Sequence, residues 1–238
     1  MLTSSQKRKI GFEPNIYSLL TNPFYIARAG LYHSVKAQSH HAKGFLLDLG
    51  CGSKPYQEIF KTCTYIGIEK FPTKNQNSTA DIYYNGSHLP FSDNTFDTIL
   101  ISQVLEHIFE PDEFLSELTR VAKPSAKIII TIPFFWAEHE QPHDYARYTS
   151  FGISKLLNDN RLSIISQTKV GNSPNTILQT ILSSIYDSSK NLPRPLRLIL
   201  LIAASFTLNP LSLIFKFFSM PDSIFLDQVI VAQRINHA

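Results

Sequence analysis

Cysteine is scarce in this chain of 238 residues, with only Cys51 and Cys63. Two thiols cannot build a disulfide framework in a chain this long, so the fold must be held by its core. Charge is scarce as well, at 17% of residues and a formal net charge of +3. No run of Lys and Arg concentrates that charge, and nucleic acid is therefore not an expected partner. The N-terminal stretch MLTSSQKRKIGFEPN lacks the apolar core of a secretory signal. A reducing cytoplasm is the expected compartment.

Apolar residues are abundant instead. They make up 43% of the chain, with 17 Phe and 10 Tyr, which excludes a disordered polymer and leaves apolar surface for a partner. Pro23 to about Gln38 reads as a helix. FLLDLG (45–50) reads as a buried strand closed by glycine, and Pro55 suits the first turn of a following helix. TYIGIEK (64–70) is a second strand, ending on Glu69. TFDTILI (95–101) is another, and a helix from Pro111 places Phe114, Leu115, Leu118 and Val121 on one face. KIIITI (127–132) is apolar enough to be covered on both sides, and Pro133 ends it. A helix over 150–158, a strand over 162–171 and a last strand over 225–234 complete the pattern. Alternating strands and helices imply a doubly wound α/β sheet.

Open parallel sheets bind ligands beyond the carboxyl ends of their strands, where strand order reverses. Gly50 and Gly52 stand at such an end, where they permit a tight turn, and a helix beginning near Pro55 would offer free amides to an anion. Glu69, about 20 residues on, is placed to accept hydrogen bonds from two ribose hydroxyls. Glycine loop plus acid predicts a nucleoside ligand. An NAD fingerprint needs a third glycine, whereas this loop runs Gly50-Cys51-Gly52-Ser53-Lys54-Pro55. An NAD-dependent oxidoreductase is thus the weaker alternative.

The run LLDLGCG, then YIGIE, then ADIYYNGSHLPFSDNTFDTILISQVLEHI, in that order, resembles the class I methyltransferases of the type 11 group over residues 45 to about 170. The resemblance implies a Rossmann-like, mostly parallel seven-stranded sheet with an antiparallel last strand, and S-adenosylmethionine as cofactor. By the same resemblance Asp48, Gly50, Cys51 and Gly52 line its methionine portion and Glu69 binds ribose. Asp81 lies beside adenine, and Ser102 and Gln103 lie near the sulfonium. Glu106 and His107 in VLEHI are expected to support the site rather than act in it. Residues 123–126 read Lys-Pro-Ser-Ala where the group usually has Pro-Gly-Gly.

Beyond KIIITIP comes FFWAEHEQPHDYARYT, rich in polar and aromatic groups at a strand's carboxyl end, an expected acceptor pocket. It resembles a subset of type 11 proteins met in bacterial surface-polysaccharide and lipid-linked pathways. Trp136, Tyr145, Arg147 and Tyr148 are the expected acceptor contacts, and His139 or His143 the base for a hydroxyl acceptor. Arg147 would clamp a phosphate or carboxylate, or else pair with Asp144. Glu138, His139, His143 and Asp144 are metal-ligand types, but Pro142 disfavours presenting the histidine pair from one helix, and no metal is expected.

Residues 172–224 are the most apolar stretch, with no charge between Leu198 and Phe215. Because the last strand must return to the sheet, a single membrane span is excluded. A helical pair capping the core, an interfacial hairpin hinged at Asn209-Pro210, and a dimer surface remain. Arg194, Arg197 and Lys216 would meet anionic headgroups across 196–220, at the inner face of the membrane. The expected organisation is an N-terminal helical extension (1–42) and a methyltransferase domain (43–238) carrying the 172–224 insertion. The expected activity is methyl transfer to a small, lipid-linked or sugar-linked acceptor, at oxygen. The rival from another class is a non-catalytic membrane-associated module that keeps the fold.

Overall fold

The computed structural model describes residues 12–71, 79–86, 88–218 and 220–235. The first eleven residues of the expected N-terminal extension, and the side chain of Lys216, lie outside what is described. In chain order the helices and strands are α1 (Ile16–Thr21), α2 (Tyr25–Gln38), β1 (Phe45–Leu49), β2 (Thr64–Lys70), β3 (Ile82–Tyr84), β4 (Phe96–Ser102), α3 (Pro111–Val121), β5 (Ala122–Pro133), α4 (Ser150–Asp159), β6 (Leu162–Val170), α5 (Ser173–Ser188), α6 (Arg194–Ile214) and β7 (Asp227–Arg234). They fall into two compact units, Ser34–Thr168 with Gln228–Ala238, and Met1–His33 with Lys169–Asp227.

The first unit is built on a seven-stranded sheet of order β3-β2-β1-β4-β5-β7-β6, in which β7 is antiparallel. Strand β1 pairs in parallel with β2 on one side and β4 on the other, so strand order reverses between β1 and β4. Ile128, Ile129, Ile130 and Ile132 are all buried, as an uninterrupted apolar strand requires when both faces are covered. On α3, Leu115, Leu118 and Val121 are buried, with Asp112 and Glu113 in the first turn and Arg120 in the last, which complements the helix dipole.

The stretch LPFSDNTFD is a fastening. Arg120 on α3 donates to the carbonyls of Phe91 (2.8 Å) and Leu89 (3.1 Å), and Glu117 accepts the amide of Leu89 at 2.7 Å. Asp97 accepts the amide of Phe45 (3.0 Å) and the ammonium of Lys123 (2.9 Å), tying β4 to the start of β1 and to β5.

Two expectations about this unit change. The α-helix expected from Pro55 is only a 3-10 turn, Gln57–Phe60, because β2 begins at Thr64 and leaves too little chain for more. The stretch between TYIGIEK and TFDTILI, for which the pattern announces no element, contains β3, whose three residues carry too little pattern to announce a strand.

In the second unit α6 runs unbroken from Arg194 to Ile214 with Pro210 inside it. The hinge at Asn209-Pro210 that the interfacial-hairpin alternative required is therefore absent. Asn209 donates instead to the carbonyls of Leu19 (2.8 Å) and Asn22 (2.9 Å), anchoring α6 to α1. The helix is inverted in polarity: Ser205, Asn209 and Ser212 are buried, whereas Leu198, Ile199 and Phe206 are 60%, 65% and 60% exposed. Gln179 on α5, also buried, accepts the amide of Ala27 and donates to the carbonyl of Pro23.

Candidate functional site

The parallel strands β1, β2 and β4 deliver their carboxyl ends to one edge, with Leu49 in register with both Ile68 and Ile101. Glu69 and Ser102 follow one step later. The loop after β1 turns on Gly50 (φ 73°) and Gly52 (φ 49°). Any side chain at Gly50 would meet Val104, whose Cγ2 lies 2.4 Å from where a Cβ would stand.

The loop amides are already used. Gly50 and Cys51 both donate to the carbonyl of Ile68, and Gly52 donates to the Glu69 carboxylate at 2.8 Å. With these amides occupied and no α-helix following, the expected anion cradle is not built; acids dominate the site instead. Asp48 is buried beneath the loop, where burial, reinforced by the charge of Glu69, raises its carboxyl to about 7 against the opposing pull of Tyr65 and Lys54. Burial, with Asp48 and Glu69 adding to it, raises the Cys51 thiol to about 12, which removes it as a nucleophile.

Two residues here were not anticipated. The Tyr65 hydroxyl donates to Asp48, and burial and that neighbour push the phenol up. The Lys54 ammonium is buried and lies 2.6 Å from Asp81, whose other oxygen accepts the amide of Gly67 at 2.8 Å. Burial alone would raise the Asp81 carboxyl, but Lys54 and that amide outweigh it and hold it low. The available signal was period 2 along β2, since Tyr65, Gly67 and Glu69 share a face and Asp48 stands opposite Gly67. The missing side chain at Gly67 makes room for Lys54 and Cys51, whose atoms lie 2.5 and 2.8 Å from a Cβ built there.

At the end of β4, Ser102 and the following Gln103 both reach the Thr131 hydroxyl, at 2.9 and 3.2 Å, so their side chains bridge this end of β4 to β5. VLEHI forms the 3-10 turn Leu105–His107, and the Glu106 carbonyl accepts the amides of Tyr145 (2.8 Å) and Ala146 (3.3 Å). It thereby supports the loop that follows β5.

In that loop Arg147 engages both oxygens of Asp144 in a fork, at 2.5 and 2.7 Å, and donates to the carbonyls of Ala137 and Ala146. Arg147 holds the Asp144 carboxyl down at about 2. The salt bridge anticipated as the alternative is what forms. His139 donates its amide to Asp144 at 2.9 Å, and exposed His143 pairs its Nδ1 with the Tyr145 hydroxyl at 3.0 Å. Trp136 and Tyr148 are half-buried, Tyr148 against the core.

Residues 47–130 match the methyltransferase domain family of the type 11 group. The match supports a class I methyltransferase domain over that stretch. The match runs from the middle of β1 into β5, so it contains the glycine loop, Glu69, Asp81 and the post-β4 turn. An uncharacterized protein of Methanocaldococcus jannaschii is 35% identical over 98 residues, 38% of this chain and 41% of that protein. A ubiquinone/menaquinone biosynthesis C-methyltransferase of Haemophilus ducreyi is 41% identical over 76 residues, 31% of this chain and 29% of that protein. The chain thus spans less than half the length of these curated relatives. Among solved structures, a [4+2]-cyclase, SpnF, superposes with a TM-score of 0.56 at 14% identity, covering 95% of this chain and 86% of that one. Phosphoethanolamine N-methyltransferase 2 of Haemonchus contortus, in complex with S-adenosyl-L-methionine, has a TM-score of 0.53 at 12% identity, with 94% of this chain and 60% of that one covered. At these identities the structures establish the methyltransferase fold alone. S-adenosylmethionine is the cofactor of the domain family.

Proposed function

We propose that this methyltransferase transfers a methyl group from S-adenosylmethionine to a hydroxyl of a small or lipid-linked acceptor. The observation that carries the reading is the acidic surround of the glycine loop. Asp48, Glu69 and Asp81 outnumber Lys54 there, and the loop amides are spoken for. Such a site favours a ligand with cationic ammonium and sulfonium groups over the pyrophosphate of NAD.

The cofactor supplies an electrophilic methyl group activated by its sulfonium. Glu69 would hold the ribose hydroxyls, with its position fixed by the Gly52 amide. Asp48 and the loop from Gly50 to Gly52 would hold the methionine portion, Asp81 would flank adenine, and Ser102 and Gln103 would border the reacting end. Methyl transfer is an in-line displacement, so alignment supplies most of the catalysis. We assign the acceptor to the loop of Trp136, Tyr145, Arg147 and Tyr148. His143, open and oriented through Tyr145, would take the hydroxyl proton, with His139 the more tethered alternative. The domain is read as 43–238, with 172–224 as its insertion.

The inverted polarity of α6 supports an acceptor drawn from a membrane surface. It is long and apolar enough to cross a membrane, and only 17% of its apolar window is buried. A lipid interface would cover Leu198, Ile199 and Phe206, while Arg194 and Arg197 meet headgroups. Incubating the protein with methyl-labelled cofactor and separate lipid and aqueous extracts tests the acceptor class. Label in an alkali-stable ether is expected, in the lipid fraction for a lipid-linked acceptor and in the aqueous fraction for a small one; label only at carbon or nitrogen would contradict the reading.

A further inference from the structure

Glu106, His107 and His139 offer ligand atoms that all lie within 4.8 Å of one another. They meet from two segments, the turn after β4 and the loop after β5. The Glu106 side chain is fully buried, and those of His107 and His139 are 16% and 31% exposed. The Nδ1 of His107 lies 2.7 Å from the carbonyl oxygen of His143, so Nδ1 carries the hydrogen and donates it. Its Nε2 then faces two carboxylates, Glu106 at 3.8 Å and Glu140 at 4.0 Å. In a neutral ring this turns a lone pair toward carboxylate oxygens, an arrangement that a cation between them relieves.

A backbone carbonyl that fixes an imidazole through its other nitrogen is the usual way a metal-binding histidine is oriented. The Nδ1 of His139 is near the carbonyl of Ala137 and the carboxylate of Asp144, each at 3.2 Å, and the Arg147 guanidinium at 3.4 Å, so these contacts of the ring gather on Nδ1. Asp144 and Arg147 neutralise each other, so Glu106 and Glu140 leave the cluster net negative.

We propose that Glu106, His107 and His139 form a binding site for a divalent transition-metal ion, with Glu140 as a fourth donor. One carboxylate and two imidazoles suit zinc and its neighbours better than calcium or magnesium, which prefer oxygen-only shells. Bonds of about 2.1 Å set tetrahedral donors about 3.4 Å apart, so small side-chain rotations draw the ligands in. The ion would pin the acceptor loop to the end of β4. This set differs from the Glu138, His139, His143 and Asp144 grouping in the sequence because Glu106 and His107 lie far away along the chain and reach His139 only in the fold.

The metal site shares the acceptor loop with the methyl-transfer reading, in which His139 is only the alternative base, and it is tested separately. Full-length protein stripped with chelator is titrated with Zn²⁺ by calorimetry and with Co²⁺ by visible absorption. One equivalent of each should bind, with the intense bands of four-coordinate Co²⁺. His107→Ala and His139→Ala should each weaken Zn²⁺ binding at least tenfold. The double substitution His40→Ala and His41→Ala, at a surface pair whose rings are 4.0 Å apart, should not. Wild-type binding in the two single variants, or no Zn²⁺ uptake by the wild-type protein, overturns the proposal. Glu106→Gln should also weaken binding; if it does not fold, the partly exposed His139 carries the test. S-adenosylhomocysteine binding in the same preparation reports on the methyl-transfer reading independently.

Discussion

The carboxylate of Glu69, at the end of β2, accepts the backbone amide of Gly52 at 2.8 Å. One side chain thus sets the glycine loop and, in the proposed reading, would also hold the ribose. The two roles separate by substitution. Glu69→Gln keeps an oxygen for Gly52 but loses the charge, whereas Glu69→Ala loses both. Cofactor affinity should fall at least tenfold in each, about 1.4 kcal/mol. Thermal stability should fall chiefly in the alanine variant, by about 1.5 kcal/mol for a hydrogen bond to a charged group. Parallel calorimetric titrations and melts check both.

Gly50 and Gly52 both have positive φ, yet they are not equivalent. Gly52→Ala meets nothing within 4 Å and should cost only the left-handed strain of about 1–2 kcal/mol. Gly50→Ala adds a clash with stiff, branched Val104. It should destabilise more and disturb the post-β4 turn, and adding Val104→Ala should recover part of the loss. Denaturation midpoints of the three variants decide this.

Asp48 makes stability depend on pH in a stated direction. Its folded carboxyl titrates near 7, raised from 3.8, so the folded state binds its proton more tightly than the unfolded chain. The stabilisation is complete below about pH 4 and is lost as pH rises through 7, on the order of 4 kcal/mol by linkage. Asp48→Asn should flatten this component. Urea unfolding between pH 4 and 8 should show the wild-type midpoint falling relative to the variant.

For α6 the expected behaviour is flotation with anionic vesicles, reduced by the paired substitution Leu198→Glu and Phe206→Glu. Both side chains are exposed, so the variant should melt close to the wild-type temperature. Flotation that is absent in wild type, or unchanged in the variant, removes the membrane from the account.

The sheet was legible because buried parallel strands write themselves as uninterrupted apolar runs, as Ile99–Ile101 and Ile128–Ile130 do. Glu69 and the glycines were legible because their spacing belongs to one strand-turn-strand unit. Tyr65 and Lys54 were not, since each depends on space left by Gly67 across the pleat, a relation between neighbouring strands. Ser125 adopts φ 64° in the stretch where the type 11 group usually has Pro-Gly-Gly; the sequence showed the departure but not the left-handed backbone at that residue. Arg147 was ambiguous between ligand and partner until the fold brought its fork onto Asp144. Pro210 misled because a proline marks a break only when the freed groups go unsupported, and here Asn209 anchors the helix to α1.

The central claim is that the acidic glycine-loop site takes a cationic methyl donor. Calorimetric titration of the full-length protein with S-adenosylmethionine and S-adenosylhomocysteine tests it most directly, with NAD as the competitor. One equivalent of each sulfur ligand should bind, Glu69→Ala should weaken both, and NAD should show no heat. A folded wild-type protein that binds NAD, or neither sulfur ligand, would contradict the account.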